Sequence, residues 1–178
     1  MPPPFWRRTV ASHRLKGKSG LPAAPGRASL GAMSSSDLPV LDLTARCDCG
    51  AVTLTARGRI VSMFQCACEN CQRVSGGGHS NVVLLPADAV STVGATKAHS
   101  RPAESGATFT RHFCPECGTT VHAQSSRAPG LRIVPAGLFA GQNDWFAPNQ
   151  LICARSHRVW DLVADHMPWH ARYREEPR

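Results

Sequence analysis

The sequence predicts a mainly β domain of short strands with little helix. Fifteen glycines and fourteen prolines punctuate 178 residues, a density that suits many turns and short elements. Apolar residues alternate with polar or small ones in several short runs, the period of a half-buried strand. No strand–helix–strand alternation is visible, which argues against a parallel doubly wound sheet.

Taken in order, the elements start at about Leu38. "VLDLTARC" (40–47) and "AVTLTARG" (51–58) flank "CDCG" and read as two strands joined by a turn. "RIVSMFQC" (59–66) reads as a third strand, entering a cluster of three cysteines. "ENCQRVSGGG" suits one short helical turn ended by Gly76, Gly77 and Gly78. Strands are expected at "NVVLLP" (81–86), "AVSTVG" (89–94) and "ATFTRHFC" (107–114), with a polar loop between the last two. "CPECGTTVHAQ" reads as a knuckle followed by a strand. "LRIVPAGLF" (131–139) and "QLICARS" (150–156) complete the strands, and "VWDLVADHMPWH" suits a short turn of helix.

The net charge of +8 is unevenly distributed. Residues 1–36 carry Arg7, Arg8, Arg14, Lys16, Lys18 and Arg27 and no acid. The remaining 14 basic residues nearly balance 12 acidic ones, so nucleic acid is not the expected partner of the domain. The stretch 1–36 reads as a disordered basic extension ahead of a domain at 38–175, or as sequence upstream of a start at Met33. It lacks the apolar segment of a secretory signal. Its Arg, Ser and Ala content would also suit an organelle transit peptide over 1–32, although "PPP", "LPAAPG" and scattered glycines break an amphipathic helix. No apolar run approaches the roughly 18 residues a membrane helix needs. A cytoplasmic location is expected, and with it reduced cysteines that bind metal or do chemistry rather than form a disulfide framework.

The eight cysteines group by spacing. In "CPECG", Cys114 and Cys117 sit two residues apart, with Pro115 setting the bend and Gly118 permitting the conformation that turns backbone N–H groups toward the thiolates. That is half of a zinc site. "CDCG" supplies Cys47 and Cys49, which face one side in extended chain. Together the four make a complete thiolate set for a structural zinc. Cys66, Cys68 and Cys71 remain. Three thiolates leave one position of a tetrahedral zinc open, the mark of a catalytic site. The alternatives are closure by an imidazole, for which His79, His112 and His122 are nearest in sequence, or a different grouping of the seven thiols. Cys153, alone in an apolar strand, reads as a small buried hydrophobe and not as a ligand.

The order C-x-C-G, then C-x-C-x-x-C-x-x-x-S-G, then F-C-x-x-C-G resembles the glutathione-dependent formaldehyde-activating enzyme family, which includes centromere protein V. The matching stretches are Cys47–Gly50, Cys66–Gly76 and Phe113–Gly118, with a weaker continuation through "PAGLF" and from Trp160 to Pro168. The resemblance implies a β-tent fold of several coiled antiparallel sheets organised around two zinc ions per chain. One zinc would lie on Cys47, Cys49, Cys114 and Cys117, the second on Cys66, Cys68 and Cys71. It also implies a carbon–sulfur lyase activity: reversible addition of glutathione to formaldehyde, giving S-hydroxymethylglutathione. Family members often carry a His before an Ile ahead of the last Trp; Leu151 stands at the corresponding position here.

Two chemical routes fit such a site. The open zinc position binds a small-molecule thiol such as glutathione and deprotonates it, or it polarises the formaldehyde carbonyl. Three thiolates on Zn²⁺ carry a net negative charge, so nearby cations matter. Arg73 and Arg111 are candidates to hold a glutathione carboxylate, and Ser75 with the following glycines to let substrate approach the backbone; the alternatives are solvated surface arginines and a plain loop. The competing expectation is a non-catalytic zinc-stabilised binding module.

Overall fold

The computed structural model describes residues 37–164 and 167–173. The chain divides into Met1–Leu30 and Gly31–Arg178. The first unit, and with it the extension expected over 1–36, lies outside the described residues.

Two sheets form the domain. In the smaller, β1 (Val40–Arg46) and β2 (Thr53–Arg59) make an antiparallel hairpin, and β5 (Val90–Val93) adds to the free edge of β2. Alternation turns Leu41 and Ala45 of β1, and Leu54 and Ala56 of β2, inward. The larger sheet has the order β11-β10-β3-β4-β9-β8-β7-β6. Its strands are β3 (Ser62–Cys66), β4 (Ser80–Pro86), β6 (Lys97–Pro102), β7 (Thr108–Phe113), β8 (Thr120–Ser125), β9 (Leu131–Pro135), β10 (Leu151–Ile152) and β11 (Trp169–His170). All its pairings are antiparallel except those of β10, which runs parallel to both neighbours. Among the described residues the only α-helix is α1 (Glu69–Ser75). The architecture is therefore mainly β, as the composition implies.

The core forms where the small sheet meets one face of the large one. Met63, Val83, Leu85 and Val134 pack with Leu41, Leu54, Ile60 and Phe139, all essentially buried. Each such side chain contributes about 1.5–3 kcal/mol relative to an exposed one. The opposite face of β3, β4 and β9 carries Phe64, Cys66, Val82, Leu84 and Ile133, which form a second apolar cluster. Alternation along these strands thus separates a structural face from a face that a ligand can reach.

Four sequence expectations are corrected. The polar stretch between residues 94 and 107 contains β6; it is an edge strand, exposed along most of its length, so no apolar alternation marks it. The strand expected over 131–139 ends at Pro135, and Ala136–Phe139 is a 3-10 turn. The strand over 150–156 shrinks to two residues because Cys153 adopts a left-handed conformation (φ 57°). The end of the segment expected as helix is instead β11, which lies beside β10. No helix among the described residues is long and apolar enough to cross a membrane.

Candidate functional site

The hairpin turn between β1 and β2 and the turn between β7 and β8 meet through four sulfurs. Cys47 Sγ lies 3.6 Å from Cys49 Sγ, which lies 3.7 Å from Cys114 Sγ, and the four sulfurs, Cys117 included, all fall within 4.8 Å of one another. Bonds of about 2.3 Å to a tetrahedral ion require sulfurs about 3.8 Å apart. The donor set therefore fits a closed four-thiolate metal site, tying together segments 65 residues apart. Both turns are shaped for it. Gly50 and Gly118 take positive φ, 79° and 75°, where a side chain would be strained. The Val52 N–H donates to Cys47 Sγ at 3.2 Å. The Thr119 hydroxyl beside Cys117, with backbone N–H groups, pulls that thiol down to about 5.

The second cluster stands where β3 passes into α1. Cys66 ends the strand, Cys68 caps the helix and Cys71 lies in its first turn; their sulfurs also fall within 4.8 Å of one another. The Cys71 N–H donates to Cys68 Sγ at 3.4 Å, so the cap that starts the helix is itself a candidate ligand. Hydrogen bonding from Cys153, Cys66 and Cys71 holds the Cys68 thiol far below its ordinary range, while Cys153, Cys68, Cys71 and burial push Cys66 up. Cys153 is buried, as expected, but not alone: it belongs to the same packed cluster as Cys66. All eight cysteines are free thiols.

A cavity of about 1070 Å³ covers the exposed face of the large sheet. Cys66 and Cys71 line one end, with Arg73 and Ser75 of α1 beside them. The floor crosses Val82, Ile133 and Ala123 and reaches Arg111 on β7, then His99 and Arg101 on β6. One end is thus sulfur, the middle apolar and the far end basic. His99 and Arg101 were hidden from sequence reading because β6 was. Arg73 is paired with Glu69 at 2.9 Å in an exposed i,i+4 contact worth little, so it can turn to a ligand. Ser75 Oγ accepts from the Gly77 N–H at 3.1 Å. Tyr173, half exposed, also lines the cavity and offers a phenol as a hydrogen-bond donor.

None of the three histidines completes the triplet. His79 lines the cavity, but its Nδ1 donates to Asp161 at 2.7 Å and its Nε2 accepts from Gln65 at 2.9 Å. Asp161 packs so closely on Gly78 that a Cβ there would meet it at 2.2 Å, which explains one of the three glycines. His112 and His122 stack at 4.5 Å on the face opposite Arg111 and Ala123. Gln72, unremarked in the sequence, donates to the carbonyls of Ala67 and Ser156, fixing the triplet turn to the C-terminal segment. Leu151 is fully buried beside Gln65.

His122 gives the domain an acid-sensitive element. Burial first, then the charges of His112 and Arg132, lower its imidazole to about 4. The folded state therefore resists protonation that the unfolded chain accepts near 6.5. The contribution is complete above about pH 6.5 and is lost as pH falls through 4. Screening of a half-buried group leaves about 1–2 kcal/mol. His122→Leu should flatten this part of the profile. Urea unfolding at pH 7 and pH 4.5 checks it; an unchanged difference between the two pH values would refute the assignment.

A family model described as glutathione-dependent formaldehyde-activating enzyme matches residues 42–155, which contain both cysteine clusters. A protein of Sordaria macrospora named putative glutathione-dependent formaldehyde-activating enzyme is 28% identical over 115 residues, covering 60% of this chain and 48% of its own. The chain thus spans about half the length of that relative. A crystal structure of a Rhodobacter sphaeroides protein is similar at 19% identity and a TM-score of 0.47, over 71% of this chain and 99% of that one. With the match to residues 42–155 covering most of the described domain, the chain belongs to the glutathione-dependent formaldehyde-activating enzyme family.

Proposed function

We propose that the protein is a zinc-dependent carbon–sulfur lyase that forms and breaks a thiol adduct of a small aldehyde, glutathione with formaldehyde being the reading its family favours. The observation that carries this is a three-sulfur cluster opening into a large cavity, beside a separate four-sulfur cluster that is already complete. The closed set on Cys47, Cys49, Cys114 and Cys117 would hold a structural zinc. Cys66, Cys68 and Cys71 would hold the second. An ion held there supplies a position where a thiol loses its proton near neutral pH.

The chain's own residues then bind and orient. Arg73 lies on the same helix as Cys71 and takes a carboxylate of the thiol substrate. Arg111 is four strand spacings from β3, about 19 Å along the sheet. An extended tripeptide spans only about 10 Å, so Arg73 rather than Arg111 serves a glutathione whose sulfur sits at the triplet. Ser75 and the Tyr173 phenol line the cavity and would offer hydrogen bonds to the adduct's oxygen.

Exchange between free glutathione, formaldehyde labelled with ¹³C and their adduct is measurable by NMR. The zinc-loaded protein should raise the exchange rate above that of the buffer; an unchanged rate would sink this reading in favour of a non-catalytic module. Arg73→Ala should raise KM for glutathione about fivefold with little change in kcat, the effect of one exposed ion pair of about 1 kcal/mol.

A further inference from the structure

Cys153 occupies a place in the backbone that ordinarily goes to glycine. Its φ of 57° and ψ of 34° are left-handed, and it is the only non-glycine residue with positive φ among the described residues. Glycine would sit there without strain, whereas a residue bearing a Cβ costs about 1–2 kcal/mol. Such a conformation persists where the surroundings hold it and marks a side chain that the site requires. The surroundings here are well defined. Ile152 pairs in parallel register with Cys66, and its carbonyl accepts the Ala67 N–H at 3.0 Å. The Cys153 N–H donates to the Arg172 carbonyl at 3.2 Å, and its own carbonyl accepts from Ser156 at 3.1 Å. The chain is thereby clamped against the Cys66–Cys68 turn from both sides.

The side chain this places is a buried thiol, 4% exposed, in one apolar cluster with Phe64, Cys66, Val82 and Ile152, against which Cys68 and Cys71 pack. It stands outside the group whose three sulfurs all lie within 4.8 Å of one another. A sulfur packed there would have to move inward to reach an ion held by the other three, as a ligand that exchanges must. His79, the alternative donor at this end of the cavity, already has both ring nitrogens engaged.

We propose that Cys153 is the fourth, exchangeable sulfur ligand of the triplet metal, and that a substrate thiol enters by taking its place. This rests on the reading of Cys66, Cys68 and Cys71 as a metal site. The exchange balances: one thiolate leaves the ion as another arrives, and the proton of the incoming thiol passes to the departing Cys153 sulfur. The charge at the ion is unchanged, which removes the objection that a three-thiolate zinc would repel a fourth anionic sulfur. The exchange also gives the site its selectivity. A thiol can replace a thiolate in an all-sulfur shell, whereas water is a poor competitor for it.

The test uses the full chain loaded with cobalt(II), whose sulfur-to-metal charge-transfer absorption grows with each thiolate bound. Wild type, Cys153→Ser, Cys153→Gly and Cys68→Ser are compared for metal content and absorption, with and without glutathione. Cys153→Gly suits the left-handed backbone and guards against loss of fold. Both Cys153 variants should keep two metals per chain, lose about one-eighth of the charge-transfer intensity as eight thiolates become seven, and surrender the second metal to a chelator roughly tenfold more readily. Glutathione should restore the missing band in the variants and leave wild type little changed. Two metals per chain with wild-type absorption and chelator resistance in both Cys153 variants would overturn the proposal while leaving the triplet site intact. One metal per chain in wild type, unaffected by Cys68→Ser, would overturn the triplet site and the role of Cys153 with it.

Discussion

Cys114→Ser is expected to leave a chain that no longer unfolds cooperatively. Cys114 is fully buried, its N–H donates to the Thr119 carbonyl at 3.0 Å, and its sulfur faces Cys49 at 3.7 Å across the junction of the two sheets. A hydroxyl there is a poor ligand and a buried polar group, so the closed site loses its ion. Structural zinc contributes on the order of 10 kcal/mol to small domains, against a total stability of about 5–15 kcal/mol for an ordinary fold. A zinc on these four cysteines would therefore be a large share of the domain's stability. Calorimetry and near-ultraviolet circular dichroism on wild type and variant, with metal analysis of each, measure the effect. A variant that melts within a few degrees of wild type and keeps its full metal content would show that the cluster does not hold the fold together.

Cys68→Ser should have the opposite character: a folded protein without activity. Serine is as good a helix cap as any residue, so the hydroxyl can take over from Cys68 Sγ in accepting the Cys71 N–H and preserve α1. The second metal site, however, loses the sulfur at its centre. Thermal stability should move little, metal content should fall from two per chain to one, and thiol-adduct exchange should fall by more than the roughly 10–100-fold seen when only the surroundings of a ligand change. Retained activity with one metal per chain would mean that the chemistry does not occur at the triplet. Comparison with Cys114→Ser separates the two clusters, because one substitution should remove the fold and the other only the reaction.

The sequence by itself determined the local chemistry. Cysteine spacing is a property of a few consecutive residues, and Gly118 after Cys117 or Gly50 after Cys49 can be read as turns because the positive φ they permit is decided within one peptide unit. Alternation in "VLDLTARC" marked a half-buried strand for the same reason, since one face meets a core and the other does not; the unbroken apolar run "NVVLLP" marked a strand covered on both faces. Where both faces meet water the signal vanishes, which is why β6, with His99 and Arg101, stayed hidden. Only the tertiary structure decided what lies beside what. The register of β10 against β3 carries Cys153 to Cys66 across 87 positions, and nothing within "LICAR" announces the left-handed turn that presents its thiol. The packing of Asp161 on Gly78 engages His79 and removes it from the ligands a reader would choose. The shape of the cavity likewise belongs to one whole face of an eight-stranded sheet, because strand order and register over long separations are set by the packing of the sheets together, not by any segment alone.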